Sequence, residues 1–559
     1  MCSIEGFTGH ANFSIEQFTS FNKDRGPDDT NYYEDGHISL GHNLLKISPN
    51  NTSKVQPYVT DKGNVLCFNG AIYGIDDQWD TEWLANRIEE RGIHSLKHNV
   101  NGQWAFTWYE PSKERVWLVR DHYGQKPLYY YTSNKNIYFS STPKPLYALL
   151  NKHNKFDIDA QALSLYNDQH SRFYFGSNFT YVGIRRVAPG EIILFDMKQH
   201  KITARDSLWD QPGNRLQWNL DMNLKWDPEE LEETFVECFN EVYDHGPGIK
   251  KTVSLSGGLD STLIASILRD KEGFSATTCS WEDSEVNTDK LNSHMLLESK
   301  IAEQTCNEFG IEFNKSVVPR DFNPLMKEAY RALGIPIWDR NRIIPRYVNV
   351  KKAAENGNKV FIAGDCADEL LTGYNGDFNM FYPGHAKRKS FSSRTLDINN
   401  NYWASLKRFI PYWLFGNDHI NNWCFTRTLA EGDSFCTVAD HLAGSFGMES
   451  RLPFLHQRLA KYLLTIPGAY KLHVPFKHES FAEDYKKRKD QRFWRMGNWK
   501  PVLRDHMKSH YPEHVLNRDR KIGFANPWDA RNDKLNKEYG KTDVEYVKLL
   551  HQSLTLDDK

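Results

Sequence analysis

The stretch Ser254–Thr262, "SLSGGLDST", closes a short apolar run and opens a helical one. Two adjacent glycines let the backbone turn sharply and bring bare N–H groups close to a ligand. The helix expected over Ser261 to Arg269 aims its positive end at the same point. Ser256, Ser261 and Thr262 add hydroxyl donors. A phosphate or pyrophosphate suits such a place. Asp260 suits it only if a divalent cation bridges its carboxylate to the phosphate. The G-x-x-x-x-G-K-[ST] spacing of a Walker loop is missing. The plainer alternative is a glycine-rich strand-to-helix turn that binds nothing.

Around this stretch the pattern alternates. The apolar runs "TVSL", "SATTCSW" and "KVFIAG" are separated by helical stretches such as Met295 to Phe309. That alternation predicts a parallel sheet with crossover helices. A helix is expected to begin at Pro228, with Asp227 as N-cap and Glu229 and Glu230 in its first turn. Leu231, Phe235, Phe239 and Val242 give it an apolar stripe at helical spacing. Upstream the character changes. "QWAFTWYE", "RVWLVR", "LYYYT" and "IYFSS" are short aromatic or β-branched strands, and "GEIILFDMKQHKITAR" reads as a hairpin turning at Lys198–His200. Thr81 to Arg91 is a helix candidate. The Pro-, Asn- and Asp-rich segment near residues 209–226 is the expected linker. It divides a domain of residues 1–208 from one of residues 227–559, whose last third is helical in pattern.

The 559 residues carry 70 basic and 72 acidic side chains, a formal charge of -2. That balance argues against a dedicated nucleic-acid or anionic-membrane binder. No apolar run approaches the roughly 20 residues of a membrane helix. "MCSIEGFTGH" lacks the order of a signal peptide. Eight cysteines form no C-x-x-C pair, so a reduced, cytoplasmic protein is expected. His94 and His98 have no further ligand near them and read as a surface pair.

The segment S-G-G-L-D-S resembles the pyrophosphate loop of the ATP-pyrophosphatase fold. "VFIAGDCADELLTGY" is similar to "SGEGADELFGGY" of asparagine synthetases, "GMESRLPFLH" to their "GVEARVPFLD", and "RKIGFANP" to their lysine-containing loop before "GFG". The N-terminus matches independently. Met1-Cys2 resembles the start of class II (N-terminal nucleophile) glutamine amidotransferases. "DRGPDD", "LGHNLLKI", "FNGAIYG" and "VRDHYGQKPLYYY" follow in the family's order. From Met1 to about Pro527 the chain is thus similar to the asparagine-synthetase architecture.

The resemblance implies an N-terminal four-layer αββα sandwich of the Ntn-hydrolase kind. A parallel-sheet α/β ATP-pyrophosphatase domain with helical additions would follow it. It implies that removal of Met1 frees the amine of Cys2. That amine titrates at about 7.7–8.0 and the thiol at about 8.5, so the amine can serve its own side chain as base. Asn69 and Gly70 would form the oxyanion hole, and Asp80 would bind the α-amino group of glutamine. In the second domain MgATP would lie on Ser256, Gly257, Gly258 and Ser261. Asp260 and Asp368 would hold Mg2+. Leu255, Cys279 and Gly364 would line the adenosine pocket, Asp365 would act on the acyl-adenylate, and Lys521 would stabilise developing negative charge. The implied activity is ATP-dependent amide formation. A carboxylate is activated as its acyl-adenylate, pyrophosphate leaves, and ammonia from glutamine attacks. The partners would be small molecules, and a homodimer is among the assemblies the resemblance allows.

Departures bear on the substrates. Leu44 stands where the family clamps the glutamine carboxylate with an arginine, Ala71 replaces a glutamate, and Glu5 replaces a phenylalanine. Either another cation replaces the clamp, Lys46 being near in sequence, or the glutaminase is weak or inactive. His456 ends the loop that carries an aspartate in the family. Trp338 and Asp339 fall near the paired threonines that face aspartate, with Arg340, Arg342 and Arg346 crowding the segment. That pattern reads either as a solvated basic helix start or as a pocket for a larger or more acidic acceptor. An intramolecular ligase of the β-lactam-synthetase type, with a decayed glutaminase half, is the alternative activity. A catalytically silent scaffold is a rival of a different class, opposed by the intact loop with Asp368 and Lys521. The basic, aromatic stretch "YKKRKDQRFWRMGNWK" could stack nucleic-acid bases or form one solvated helix face.

Overall fold

The computed structural model describes residues 2–47, 55–75, 78–98, 100–133, 135–154, 181, 183–209, 227–282, 293–319, 321–335, 340–373, 419–472 and 500–517. The first domain holds strands β1 (Ser3–Thr8), β2 (Asp29–Glu34), β3 (Ile38–Leu44), β4 (Tyr58–Val59), β5 (Val65–Ile72) and β6 (Gly102–Glu110). They continue with β7 (Arg115–Arg120), β8 (Tyr129–Ser133), β9 (Asn136–Ser140), β10 (Arg185–Arg186), β11 (Glu191–Asp196) and β12 (Lys201–Ser207). Its helices are α1 (Ile15–Ser20), α2 (Asp80–Arg91) and α3 (Pro143–Asn154). The strands pair as two six-stranded antiparallel sheets, in the orders β10-β8-β9-β1-β3-β2 and β12-β11-β7-β6-β5-β4.

The period of two explains the layering. On β6, Ala105 and Tyr109 enter the core between the sheets, whereas Trp104, Phe106 and Trp108 enter a core on the opposite face. On β5, Val65 and Cys67 face the first core while Leu66, Phe68 and Ile72 face the second. Leu84, Ala85 and Ile88 of α2 cover that second face. Ile15 and Phe18 of α1, with Leu146 and Tyr147 of α3, cover the far side of the other sheet. The order is helix, sheet, sheet, helix, the four-layer sandwich expected. The expected hairpin at Lys198–His200 joins β11 to β12. The expected linker lies outside the described residues apart from Trp209.

The second domain opens with α4 (Pro228–Asp244), where the Asp227 side chain accepts the N–H of Glu229 as the cap reading requires. Five strands follow: β13 (Lys251–Ser254), β14 (Phe274–Trp281), β15 (Glu312–Val318), β16 (Val360–Ile362) and β17 (Glu449–Arg451). All neighbours are parallel, in the order β15-β14-β13-β16-β17. The helices between them include α5 (Leu259–Leu268), α6 (Ser293–Phe309), α7 (Asn323–Leu333), α8 (Arg340–Glu355), α9 (Ala367–Leu371) and α10 (His419–Gly444), and α11 (Gln457–Thr465) follows the last strand. The chain builds outward from β13 to β15, then crosses back to lay β16 on the other side of β13. That reversal leaves a crevice beyond the carboxyl ends of β13 and β16, where open α/β sheets hold ligands.

The two domains share one hydrophobic core, which runs from Phe7 and Tyr129 to Leu442 and Phe454. Buried charges cross the same boundary. Asp433 on α10 takes Arg120 at 2.9 Å and Arg186 at 2.5 Å. Asp440, two turns further on, takes Arg25 at 2.7 Å, with Lys126 at 3.9 Å. Lys126 also donates to the Ser450 carbonyl at 3.2 Å. The segment "RDHYGQKPLYYY", whose sequence reads as a hairpin near the domain interface, instead crosses from β7 in one sheet to β8 in the other, and it carries Arg120 and Lys126 into this seam.

Asp433→Ala would leave two buried guanidinium groups without their carboxylate. We expect a loss of about 3–5 kcal/mol in urea or thermal unfolding. Glu355→Ala, which breaks the exposed pair with Lys352, should cost no more than about 0.5 kcal/mol. Equal effects would contradict this account of the seam.

Candidate active site

Cys2 lies just ahead of β1 in a cleft of about 760 Å³ lined by both domains. Leu44, Lys46, Gly70, Ile72 and Asp80 come from the first domain, and Glu237, Glu241, His245, Glu449 and Arg458 from the second. The Cys2 Sγ is 4.0 Å from the Leu45 carbonyl, and the Cys2 carbonyl accepts Arg25 Nε at 3.4 Å. Burial pushes the thiol up, while the positive chain terminus and a backbone hydrogen bond at Leu45 draw it back. A proton acceptor beside it is therefore needed for attack.

Asn69 and Gly70 stand side by side on β5. The Asn69 amide is buried, and neither its oxygen nor its nitrogen has a hydrogen-bond partner among the described residues. A buried amide without a partner is costly, and a ligand entering the cleft could satisfy it. Gly70 has φ 154°, and a Cβ there would meet the Gln103 carbonyl at 2.1 Å, so only glycine fits. Asp80, at the start of α2, accepts the Ile72 N–H at 2.9 Å and lies 3.5 Å from His245 Nε2. Burial raises its carboxyl to about 7, against the pull of that N–H. Burial and Arg451 lower His245 to about 4, so it is neutral at neutral pH. Glu5, which departs from the family, is not left unpaired. It accepts from Asn22 at 2.6 Å and Ser3 at 3.2 Å, and burial raises it to about 8.

The motif "GMESRLPFLH" explains the far wall of the cleft. Arg451 is buried, holds Glu449 at 2.8 Å, and donates to the carbonyls of Val242 and His245 at 2.7 and 2.8 Å. It thereby caps the end of α4 and sets His245 against Asp80. Burial alone would raise Glu449, but Arg451 and Lys126 hold it at about 2. His456 stacks on Tyr73 at 5.9 Å and bonds Glu241 at 2.9 Å, so this departure from the family is a contact between domains.

At the crevice of the parallel sheet, Ser256 to Ser261 form the expected strand-to-helix turn. Gly257 has φ 69°, and a Cβ there would meet Ile301 at 2.7 Å. Ser261 Oγ takes the Ser256 N–H at 3.1 Å and lies 3.1 Å from Ser256 Oγ, while Ser256 Oγ takes the Gly258 N–H at 3.3 Å. These hydroxyls shape the loop. The Thr262 hydroxyl, read as a third donor, is instead buried without a partner among the described residues. Gly364, just past β16, would place a Cβ 3.0 Å from Asp260 Cβ. Leu255, Cys279 and Gly364 sit on or just beyond the carboxyl ends of three adjacent strands, β13, β14 and β16.

Asp260 and Asp368 do converge, and between them lies Lys500. Its Nζ is 2.6 Å from Asp368 Oδ1 and also bonds Asp260. Lys500 is buried in a left-handed conformation, φ 50°, as is Cys366, φ 71°, next to Asp365. Non-glycine residues rarely adopt it, and such strain gathers at functional sites. Asp365 is ion-paired with Arg346 of α8. Among the described residues, no group of three or more His, Cys, Asp or Glu forms a metal cage. The two carboxylates share one cationic point beside a phosphate-type loop. That fits Mg2+, which takes one or two carboxylates and completes its shell with phosphate oxygens and water.

Lys521, Trp338 and Asp339, with the side chains of Arg340 and Arg342, lie outside the described residues. Lys500 was missed because it ends the stretch read as a solvated or nucleic-acid-binding face. Its burial reverses that reading for this residue, and nothing in the local spacing announces it. His245 was missed because only folding brings it to Asp80.

A family model described as asparagine synthase matches residues 250–542, and one described as a glutamine amidotransferase domain matches residues 1–207. An inferred glutamine-hydrolyzing asparagine synthetase 1 of Methanocaldococcus jannaschii is 25% identical over 97% of this chain and 96% of that protein. Glutamine-hydrolyzing asparagine synthetase 1 of Bacillus subtilis is 24% identical over 92% of this chain and 84% of its own length.

Lys500→Met would remove the ammonium that both carboxylates share. Without divalent cations the variant should lose about 1–3 kcal/mol in thermal unfolding, and added Mg2+ should restore much of it. A variant as stable as the parent and indifferent to Mg2+ would contradict the shared site.

Proposed function

The chain belongs to the asparagine synthase family, and from that premise we propose that it is an ATP-dependent, glutamine-using carbon–nitrogen ligase. It activates a carboxylate as the acyl-adenylate, releases pyrophosphate and completes an amide with ammonia. The observation that carries this is the convergence of Asp260 and Asp368 on one cationic point beside the Ser256–Ser261 loop, in the crevice between β13 and β16. A phosphate chain needs cationic and N–H partners in that crevice, and a leaving pyrophosphate needs its charge neutralised.

In this proposal the loop N–H groups and Ser256 hold the β and γ phosphates, and the ends of β13, β14 and β16 hold the adenosine at Leu255, Cys279 and Gly364. Asp260 and Asp368 would hold Mg2+, which when bound neutralises the leaving group. Lys500, and Lys521 from beyond the described residues, add positive charge there. Asp365, freed from Arg346, orients the acceptor carboxylate or takes the proton of the attacking amine. In the first domain, the amine exposed at Cys2 by loss of Met1 takes the thiol proton. The thiolate attacks the glutamine amide, and Asn69 and the Gly70 N–H receive the oxyanion. Asp80 takes the glutamine ammonium. Residues 1–208 and 227–559 are the two catalytic units, working on small molecules in the cytoplasm. The retained Asn69, Gly70 and Asp80 favour this over the intramolecular ligase with a decayed glutaminase half. The acceptor is a carboxylic acid of the aspartate type or a more acidic relative, given Arg346 at the mouth.

With MgATP and the acceptor, the enzyme should release pyrophosphate; orthophosphate as first product would contradict the scheme. Cys2→Ala should abolish glutamine-supported turnover and spare turnover with ammonium. The carboxyl of Asp80 is held up near 7 by burial, so it loses its charge as pH falls through that value. The KM for glutamine should therefore climb about tenfold per pH unit below about 7. In Asp80→Asn it should be high and flat, and a sloping profile in that variant would assign the titration elsewhere.

A further inference from the structure

Glutamine is a zwitterion, and its two charges lie at the end remote from the reacting amide. A cleft that takes it out of water must meet both, because an unpaired carboxylate is penalised there. The cleft around Cys2 offers Asp80 to the ammonium. For the carboxylate, the cationic side chains on its walls among the described residues are Lys46, Arg458 and His245. Arg458 is ion-paired with Glu237. His245 faces Asp80 at 3.5 Å and is neutral at neutral pH. The remaining acids have cations of their own: Glu449 has Arg451, Glu241 has His456 and Asp244 has Lys271. Lys46 is exposed; its charge is felt by the Asp29 carboxylate, but its ammonium forms no ion pair or side-chain hydrogen bond with any described residue.

Its place is fixed by the backbone. β3 ends at Leu44, and Lys46 follows two residues on, so an extended chain gives both side chains the same side. Both line the cleft. Leu45, between them, turns its carbonyl to the Cys2 Sγ. The Lys46 N–H is anchored on Asp28 Oδ2 at 2.7 Å. A four-carbon stem springing from that point spans the cleft wall beside an apolar Leu44.

We propose that Lys46 is the carboxylate-binding residue of the amide-donor subsite. Glutamine then lies with its amide at Cys2, its ammonium at Asp80 and its α-carboxylate at Lys46. This rests on the glutaminase activity proposed above and names a specificity-determining residue within it. A lysine ammonium is a compact, flexible point charge, whereas a guanidinium grips both oxygens of a carboxylate. The subsite therefore tolerates small changes in where the carboxylate sits, provided the donor keeps one.

The test is steady-state kinetics on the full chain with glutamine, glutaminamide (which lacks the carboxylate) and ammonium. Lys46→Met should raise the KM for glutamine about 10- to 100-fold with a much smaller change in kcat, and should bring glutamine and glutaminamide level. Lys46→Arg should keep the preference for glutamine. Leu44→Arg added to Lys46→Met should recover at least part of the lost affinity, because it returns a cation to the same side of the segment. Ammonium-supported turnover in each variant reports correct folding. An active parent glutaminase whose KM is unchanged in Lys46→Met overturns the assignment of Lys46 alone. A parent enzyme that neither hydrolyses glutamine nor is labelled at Cys2 by a glutamine-like diazoketone overturns the glutaminase activity, and this assignment with it.

Discussion

Two carboxylates on one helix, Asp433 and Asp440, are buried against four cations from the other domain: Arg25, Arg120, Lys126 and Arg186. Ions in such a place are tolerable only when both partners arrive, since either set left alone in a dry interface costs more than the pair gains in water. Docking of the domains is therefore a condition of the fold rather than a late addition. The seam also reaches the Cys2 cleft from two sides. Arg25 touches the Cys2 carbonyl, and Lys126 touches Ser450, next to Glu449 and Arg451. Arg451 in turn fixes the end of α4, which supplies one wall of the Cys2 cleft. A disturbance of the seam should thus be felt at the Cys2 cleft.

The second constraint is electrostatic and lies in the crevice of the parallel sheet. Glycine at 364 lets the end of β16 lie against Asp260, and Asp260 and Asp368 both take the Lys500 ammonium. In the function proposed above, the same carboxylates would pass from the ammonium to a divalent ion when a phosphate chain enters. The left-handed conformations at Cys366 and Lys500 show where the chain accepts strain to hold that arrangement.

Much of this is legible in the sequence, and the limits have physical causes. The parallel sheet follows from apolar runs spaced by helices, and the strand-to-helix turn from Gly257, Gly258 and Ser261, because these are local patterns with one economical solution. Asp227 as N-cap and the hairpin at Lys198–His200 are local too. The strands before residue 73 carry Asn, Glu, His and Gly among their apolar positions, so they are recognised through motif likeness rather than periodicity. Lys500 and His245 depend on contacts across hundreds of residues and leave no local trace. The departure at Glu5 is explained by Asn22 and Ser3, and that at His456 by Tyr73 and Glu241. Both are pairings that only the folded chain reveals. Leu44 becomes intelligible once Lys46 is seen on the same wall.

The central claim is that the acceptor carboxylate attacks the α phosphorus of ATP. It is tested most directly by labelling that carboxylate with oxygen-18 and following the label through one turnover. An acyl-adenylate route places one labelled oxygen in AMP and none in pyrophosphate. Label in orthophosphate, with ADP as the nucleotide product, would contradict it.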